Sequence, residues 1–593
     1  MNKSRYLEVS NIYLSNAPRW INKVVNKNSF ICYDTETYIG TCKLLADSEG
    51  NYIYNPTFDE CLDFLWKYHN KTYYRAFWNI DFDISAILKL WNNIEQIDDL
   101  IHGITVEYKD FTMYYIRPKM FRLSKGKEHI FFVDLNAMYK RKLETAAVEF
   151  LNEHKIDTLD PNKINTSLEY WIKNRTEIIR YCLKDAKLTS RLGNVLVKEV
   201  QACGLLLPKF FTSYASLSKQ YFRYKARIPS LKYVPTNILD IAYQTYYGGR
   251  FELLKRGFFK KLYCYDINSA FPETITKLPS LKYGYWKKVN EINDNEVIAF
   301  YKVVLDIPET YISFLPFKLK NKLIVYPSGM FITWITWYEA DLMRKWIKGV
   351  SYGYQYIPSE KEYYPFAKGI RHLYAEKTKY KGVNEVFYWL IKLPMNALYG
   401  CFVEKHKKPD GNIYAGILFN SVYGAIITGR SRWKLFKDVP MDLWQYYVGV
   451  HADSIISEKK LPLKIDNQLG NWTLDYEGKG VVLNTGIYQI GKKMKHRGFK
   501  GAKFDWIKLL KESVNEKYIS FTRTKVLKIA ESLRRFGIID DVNTFSEVEK
   551  KMYIRNDKKR NWNSEFKNCK DVLKRNYSSK TLVLRYVRND NLK

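Results

Sequence analysis

Tyr265-Asp266-Ile267-Asn268-Ser269-Ala270-Phe271-Pro272 is an apolar, aromatic strand that runs into a carboxylate and then turns. A second acid, in His451-Ala452-Asp453-Ser454, stands between two apolar runs, Gln445 to Val450 and Ile455 to Ser457, that read as a hairpin. Acids this far apart in the chain meet when their strands are neighbours. Two carboxylates at the floor of one cleft are a donor set for a pair of divalent cations in phosphoryl transfer. Between them, Asn384 to Leu398 reads as a helix, with Lys392, Asn396 and Tyr399 at i, i+4 and i+7 on one face. A lysine there offers a point charge to phosphate oxygens. Arg371, Lys377 and Lys379, just upstream, carry more charge of the same kind.

A separate acidic set lies upstream. Ser29 to Thr35 reads as a strand ending in Asp34, and Glu36, two residues on, shares its face. A second aromatic strand, Thr72 to Trp78, leads into Asn79-Ile80-Asp81-Phe82-Asp83. Thr176 to Val200 has helical period. On it Tyr181 and Asp185 are four apart and face the same way. The Tyr181 hydroxyl is suited to orient an attacking water, and Asp185 to hold a metal. This pattern predicts a second two-metal site, in a first domain closing near residue 200.

A length of 593 residues leaves room for about three to five compact units. The net charge of +34 favours a polyanionic partner, nucleic acid before anionic membrane. A lysine-rich reading of an AT-rich genome accounts for part of that charge but not for the placed carboxylates. The eight cysteines include no CxxC pair, which argues against a zinc or iron–sulfur module and against a disulfide framework. No run of eighteen apolar residues predicts a membrane span, and Met1 to Asn11 lacks the pattern of a signal peptide. A reducing, cytoplasmic setting is expected. From Gly501 onward 23 basic residues face 12 acidic ones, which marks a candidate DNA-gripping region.

The ordered trio DTE, NxxFD and YxxxD resembles the 3′–5′ exonuclease motifs of family B DNA polymerases. DxNSxFP, KxxxNAxYG and ADS resemble polymerase motifs A, B and C of the same family. The match is closest to its protein-primed subgroup, found in phages, linear plasmids and some viruses. The resemblance covers about residues 30 to 500 and is strong only at the motifs. It implies an α/β multidomain chain: an RNase H-like 3′–5′ exonuclease domain over 1–205, then a right-hand polymerase domain over 206–593. In the latter, the palm would carry motifs A and C, an insertion and the fingers would span about 290–400, and the thumb about 501–593. Asp34, Glu36, Asp83 and Asp185 would hold the editing metals, with Tyr181 beside them. Asp266, the Ile267 carbonyl and Asp453 would hold the synthetic ones, two divalent cations per site, magnesium or manganese. Ser269, Phe271, Lys377, Lys392, Asn396 and Tyr399 would bind the nucleotide, the Phe271 ring excluding a ribose 2′-hydroxyl. Asn79, Phe82, Tyr246, Gly248, Gly249 and Tyr488 would contact DNA. The implied partners are primer-template DNA, deoxynucleotides and a terminal protein; the enzyme would be a monomer in the cytoplasm of a host cell, encoded by a virus or plasmid, with no membrane partner.

The chain departs from the family pattern in four places. Motif C has His451 where an acid is usual and Ala452 where Thr is usual. A histidine facing two cations should be neutral, and its protonation at mildly acid pH would weaken metal binding. Pro394 lies inside the motif B helix and should kink it. The later Lys-x-Tyr motif appears as Gly486-Ile487-Tyr488, leaving Lys492, Lys493 or Lys495 as substitutes. Only about fifty residues separate Gly400 from His451. The second insertion of the subgroup is therefore short, with Lys407-Lys408-Pro409-Asp410-Gly411-Asn412 as the tip of a reduced hairpin. Two rivals stand beside the leading reading: the same enzyme extending ordinary nucleic-acid primers, and a nuclease whose C-terminal part is a DNA-binding scaffold.

Overall fold

The computed structural model describes residues 5–7, 11–15, 19–21, 25, 27–407, 411–499 and 504–588. Near the N-terminus an eight-stranded sheet runs in the order Tyr52–Tyr54, Thr41–Asp47, Phe30–Tyr38, Tyr74–Phe77, Glu128–Asp134, Met120–Lys125, Phe111–Ile116, Val106–Tyr108. Its centre is parallel, Phe30–Tyr38 and Glu128–Asp134 flanking Tyr74–Phe77. A parallel centre is covered on both faces, so the strand Phe30-Ile31-Cys32-Tyr33 is apolar without alternation. Phe30 and Cys32 share a core with Leu188 and Leu192 of the long helix Leu168–Ala202. Ile31 and Tyr33 share another with Ile80 and Ile84 of the helix Ile80–Trp91.

The centre of the chain is a nine-stranded sheet. Lys255–Ile267 lies between Ser454–Ser457 and Trp472–Asn484, all antiparallel, and Tyr447–His451 pairs beyond Ser454–Ser457. Between Asp266 and Lys392 the chain builds a further sheet from Gly284–Val289, Ala299–Ile307, Ser328–Thr336 and Ile347–Pro358, to which the C-terminal strand Val583–Arg588 adds as a fifth. Two helices follow, Ala367–Tyr380 and Glu385–Cys401. The second contains Pro394 and continues through it as a single helix. Of the turn expected over 407–412, residues 408–410 lie outside the described residues; its flanks Lys405–Lys407 and Ile413–Ala415 pair antiparallel.

The C-terminal region is tied to both sheets. Asn576–Thr581 pairs with Lys255–Ile267. The Arg560 guanidinium donates to Glu252 Oε1 at 2.7 Å, and Arg250 Nε donates to Glu252 Oε2 at 2.8 Å, all three buried. Removing one member of such a buried charge set costs about 3–5 kcal/mol. The long hairpin of Tyr518–Val526 and Phe545–Tyr553 carries the helix Ile529–Phe536 between its strands. Ile529, Ile539 and Val542 are buried in the core that holds Ile80 and Ile84. Lys528 pairs with Asp81 at 2.8 Å, and Lys89 Nζ donates to the Asp540 carbonyl at 2.7 Å.

Gly40 sits at that junction with φ +70°, and a Cβ added there would lie 1.9 Å from the Val542 carbonyl oxygen. Gly40→Ala is therefore expected to cost about 1–3 kcal/mol and to loosen residues 518–553 from the N-terminal sheet. Urea unfolding with limited proteolysis of the hairpin measures both. Unchanged stability and unchanged cleavage would show that the hairpin tip is not seated there.

Candidate active sites

In the first cluster Asp34 and Glu36 leave the strand Phe30–Tyr38 toward the long helix, which presents Tyr181, Cys182 and Asp185. Asp34, Glu36 and the Cys182 thiol each place one ligand atom within 4.8 Å of the others. Cys182 Sγ lies 3.4 Å from the Asp34 carbonyl, and burial pushes its thiol well up, so it stays protonated. Asp83, in the first turn of its helix, accepts from Thr35 Oγ1 at 2.8 Å and Thr35 N at 3.2 Å. Burial, then the charges of Asp185, Glu36 and Asp83, raise Asp34 well above the usual carboxylate range. Burial, then Asp185, raises Glu36 to about 8; burial raises Asp83 to about 7 and, against the pull of Lys155, Asp185 to about 6. Lys155, which no sequence pattern singled out, pairs with Asp185 and lies 4.7 Å from the Tyr181 ring centre. Asn79 caps the Asp83 helix and is exposed; Phe82 is half-buried, its carbonyl accepting from Asn543 Nδ2 at 3.0 Å.

In the second cluster Asp266 pairs in register with Ser454, and Ile267 N donates to the Asp453 carbonyl at 2.9 Å. The two acids thus face one cavity of about 340 Å³, with His451, Asp475, Tyr488 and Lys495 also on its wall. Burial, then Asp453 and Asp475, push Asp266 up to about 8, while Lys392 and Lys495 pull it down; Asp453 is raised too, chiefly by burial. Lys377 Nζ donates to Ser269 Oγ at 3.1 Å, and burial with the charge of Lys392 lowers Lys377 to about 8. Lys392 Nζ donates to the Tyr388 hydroxyl at 3.0 Å. Asn396 Oδ1 is buried without a hydrogen-bond partner. The Phe271 and Tyr399 rings are 4.6 Å apart, and the Tyr399 and Tyr246 hydroxyls are 2.6 Å apart. The Gly248 carbonyl accepts from Arg432 at 2.8 Å. Gly249 faces Ala452, whose Cβ would be 2.9 Å from any side chain added at 249, so this glycine makes room for the Asp453 turn.

Of the substitutes for the missing lysine, Lys495 is the one on the cavity wall. Tyr488 is buried there, its hydroxyl 2.8 Å from that of Tyr476. Arg371 borders a different cavity, beside Lys277 and Arg430. Burial, then Arg497 and Lys495, lower His451 to about 3. The imidazole is neutral as expected, but the expectation that it titrates at mildly acid pH is corrected: it stays neutral through that range. Asp475 was missed because Trp472 to Asn484 does not alternate simply; its pairing with Lys255–Ile267 carries an irregularity at this point.

Buried carboxylates of like charge that raise one another are unfavourable alone and suit a site that receives divalent cations. Both clusters fit such ions by this criterion.

A family model described as DNA polymerase type B, organellar and viral, matches residues 120–413. Over that stretch the chain is similar to the type B DNA polymerases. A curated DNA polymerase of Acidianus bottle-shaped virus (isolate Italy/Pozzuoli) is 25% identical over 396 residues, 64% of this chain and 55% of the relative. The chain thus spans about half the length of that relative. Among solved structures, Phi29 DNA polymerase complexed with primer-template DNA and incoming nucleotide superposes with a TM-score of 0.62 at 16% identity, covering 89% of this chain and 100% of the other. The same enzyme with primer-template DNA alone gives 0.59 at 15% identity, with the same coverage. The chain therefore has the multidomain fold of a family B polymerase. Among the described residues no helix is long and apolar enough to cross a membrane.

The raised carboxyls carry a pH signature. A carboxyl whose folded pKa is raised contributes stability below its unfolded value near 4 and loses it as pH rises through the folded one. With Asp266 and Glu36 near 8, Asp83 near 7 and Asp185 near 6, the metal-free protein loses stability between about pH 4 and 8. Divalent cations offset that loss. The rise in Tm on adding manganese is expected to be larger at pH 8 than at pH 5.5. Equal increments at the two pH values would count against carboxylate sites of this kind.

Proposed function

We propose that the chain is a template-directed DNA polymerase with a proofreading 3′–5′ exonuclease, started from a terminal protein, on a linear viral or plasmid genome. The exonuclease occupies 1–205 and the polymerase 206–593, with the sheet between Asp266 and Lys392 as the insertion that meets the priming protein. The observation that carries this reading is two separate carboxylate clusters, largely half-buried, in one basic chain, one of them beside Lys377 and Lys392.

For synthesis, Asp266 and Asp453 would hold two divalent cations, magnesium or manganese, which activate the primer 3′-hydroxyl and polarise the α-phosphate when bound. Lys377 and Lys392 neutralise triphosphate charge, and their nearness to Asp266 sets the phosphates against the carboxylates. Tyr246, Tyr399 and Phe271, joined by the Tyr hydroxyls and the tilted Phe271–Tyr399 ring pair, form a wall for the nascent base pair, with the Phe271 ring where a 2′-hydroxyl would project. For editing, Asp34, Glu36, Asp83 and Asp185 hold the cations, and Tyr181, oriented by Lys155, positions the water. Asn79 and Phe82 grip the frayed end.

Asp266→Ala or Asp453→Ala is expected to abolish primer extension and leave degradation of single-stranded 3′ ends. Asp34→Ala with Glu36→Ala is expected to do the reverse. Both activities are measured on a labelled mismatched primer with magnesium or manganese. Extension near the parent rate after loss of Asp266 or Asp453 would sink the synthetic assignment. Persistence of trimming in the double variant would sink the editing one. Priming is read separately, as transfer of a labelled nucleotide to a protein hydroxyl.

Phe271→Val is expected to raise ribonucleotide incorporation at least tenfold relative to deoxynucleotide, about 1.4 kcal/mol of discrimination. The ratio of kcat/KM values for the two substrates measures it. An unchanged ratio would make Phe271 a packing residue only.

A further inference from the structure

The second carboxylate cluster is short of one acid, and the strand beside it supplies one. We infer that Asp475 is a cation-holding carboxylate of the polymerase site, taking over the charge that motif C lacks at His451. The inference rests on the polymerase reading above and adds a residue that the motifs do not contain.

Three observations meet here. First, the register of Trp472–Asn484 on Lys255–Ile267 pairs Asp266 with Thr473, Tyr265 with Leu474 and Cys264 with Tyr476. Asp475 is thus the extra residue of a β-bulge opposite the Cys264–Tyr265 step, one residue along the strand from Asp266. A bulge re-aims the side chain it carries, and bulges recur next to active sites for that reason. Here Asp475 and the adjacent Tyr476 both line the cavity of Asp266 and Asp453. The Thr473 hydroxyl, opposite Asp266 in the ladder, lies 3.1 Å from Asp475 Oδ1 and 3.2 Å from the Asp266 carbonyl oxygen, and its single proton is donated to one or shared between them.

Second, His451 does not supply what a carboxylate would. Its ring is buried on the same wall, between Tyr488 at 5.4 Å and Phe251 at 6.3 Å, and both ring nitrogens lack a hydrogen-bond partner. A neutral imidazole adds a donor atom but no negative charge.

Third, the surroundings are basic. Lys392 and Lys495 act on Asp266 and Asp453, and Arg497 also lines the cavity. With two acids alone, cations would meet an excess of positive charge. The Asp475 charge acts on both of those acids and corrects the balance. Asp475 is itself exposed, so it can turn toward a cation and can be replaced without opening the core.

The test uses full-length protein with Asp34→Ala and Glu36→Ala, so that the editing cluster is silent. Manganese binding is followed by electron paramagnetic resonance of the free ion, and primer extension is titrated with manganese in parallel. Asp475→Asn is expected to weaken binding at least tenfold and to raise the manganese needed for half-maximal extension by a similar factor. Asp475→Glu should recover most of both. Adding His451→Asp to Asp475→Asn should restore binding, because it returns the charge to motif C. If Asp475→Asn binds manganese as the parent does while Asp266→Asn does not, Asp475 is excluded and the polymerase reading stands. If the parent binds no manganese outside the editing cluster, both fall.

Discussion

Like charges held together with little access to water set the terms for this molecule. Each candidate site gathers carboxylates that burial and mutual repulsion drive toward the protonated form. Lys155 at one cluster and Lys392 and Lys495 at the other offset only part of that repulsion, so the backbone must hold the acids in place against the rest. For the acids that leave strands the chain does so with main-chain pairing, while Asp83 and Asp185 are also held by Thr35 and Lys155. Asp266 and Asp453 are fixed by the ladder between Lys255–Ile267 and Ser454–Ser457, and Asp34 and Glu36 by a strand paired on both sides. A ladder of hydrogen bonds resists displacement of one carboxylate far better than rotamers alone.

The same reasoning explains where the chain invests its buried ion pairs. Arg250, Glu252 and Arg560 join the motif C neighbourhood to the C-terminal region. Arg430 and Arg432, on the buried helix Ser421–Lys437, reach Glu273, Glu296 and Glu339. Buried pairs of this kind add little net stability but penalise any arrangement that separates them. They serve to fix how the helices sit behind the catalytic sheet. The hairpin tip plays a comparable part at the other cluster, where Lys528 holds Asp81 and Asn543 holds the Phe82 carbonyl, two and one residues before Asp83.

The likeness to the type B polymerases does not erase the local differences. Motif C differs from the usual pattern at His451 and Ala452, and the second difference has a close neighbour: a Cβ added at Gly249 would come within 2.9 Å of the Ala452 Cβ. A larger residue at 452 would press on the Tyr246–Gly249 segment. Pro394 is likewise accommodated, the helix Glu385–Cys401 carrying Lys392, Asn396 and Tyr399 through it.

Local signals were enough for the elements and for most of the acids. A strand that ends in Asp266, a helix with Lys392, Asn396 and Tyr399 on one face, and an i, i+4 pair at Tyr181 and Asp185 are short-range patterns, and alternation and helical period reveal them without knowledge of the fold. The family resemblance rested on these same patterns. The rest depends on contacts between residues far apart in the chain. Asp475 faces Asp266 because of a bulge, and a bulge is defined by the partner strand. Lys155 matters because it meets Asp185, thirty residues away. The neutrality of His451 through mildly acid pH follows from burial and from Arg497 and Lys495, not from its own identity. The union of the hairpin tip with the N-terminal sheet joins residues some 450 apart. Such relations arise only when strands pair and cores close, because burial and electrostatic neighbourhood are properties of the packed chain.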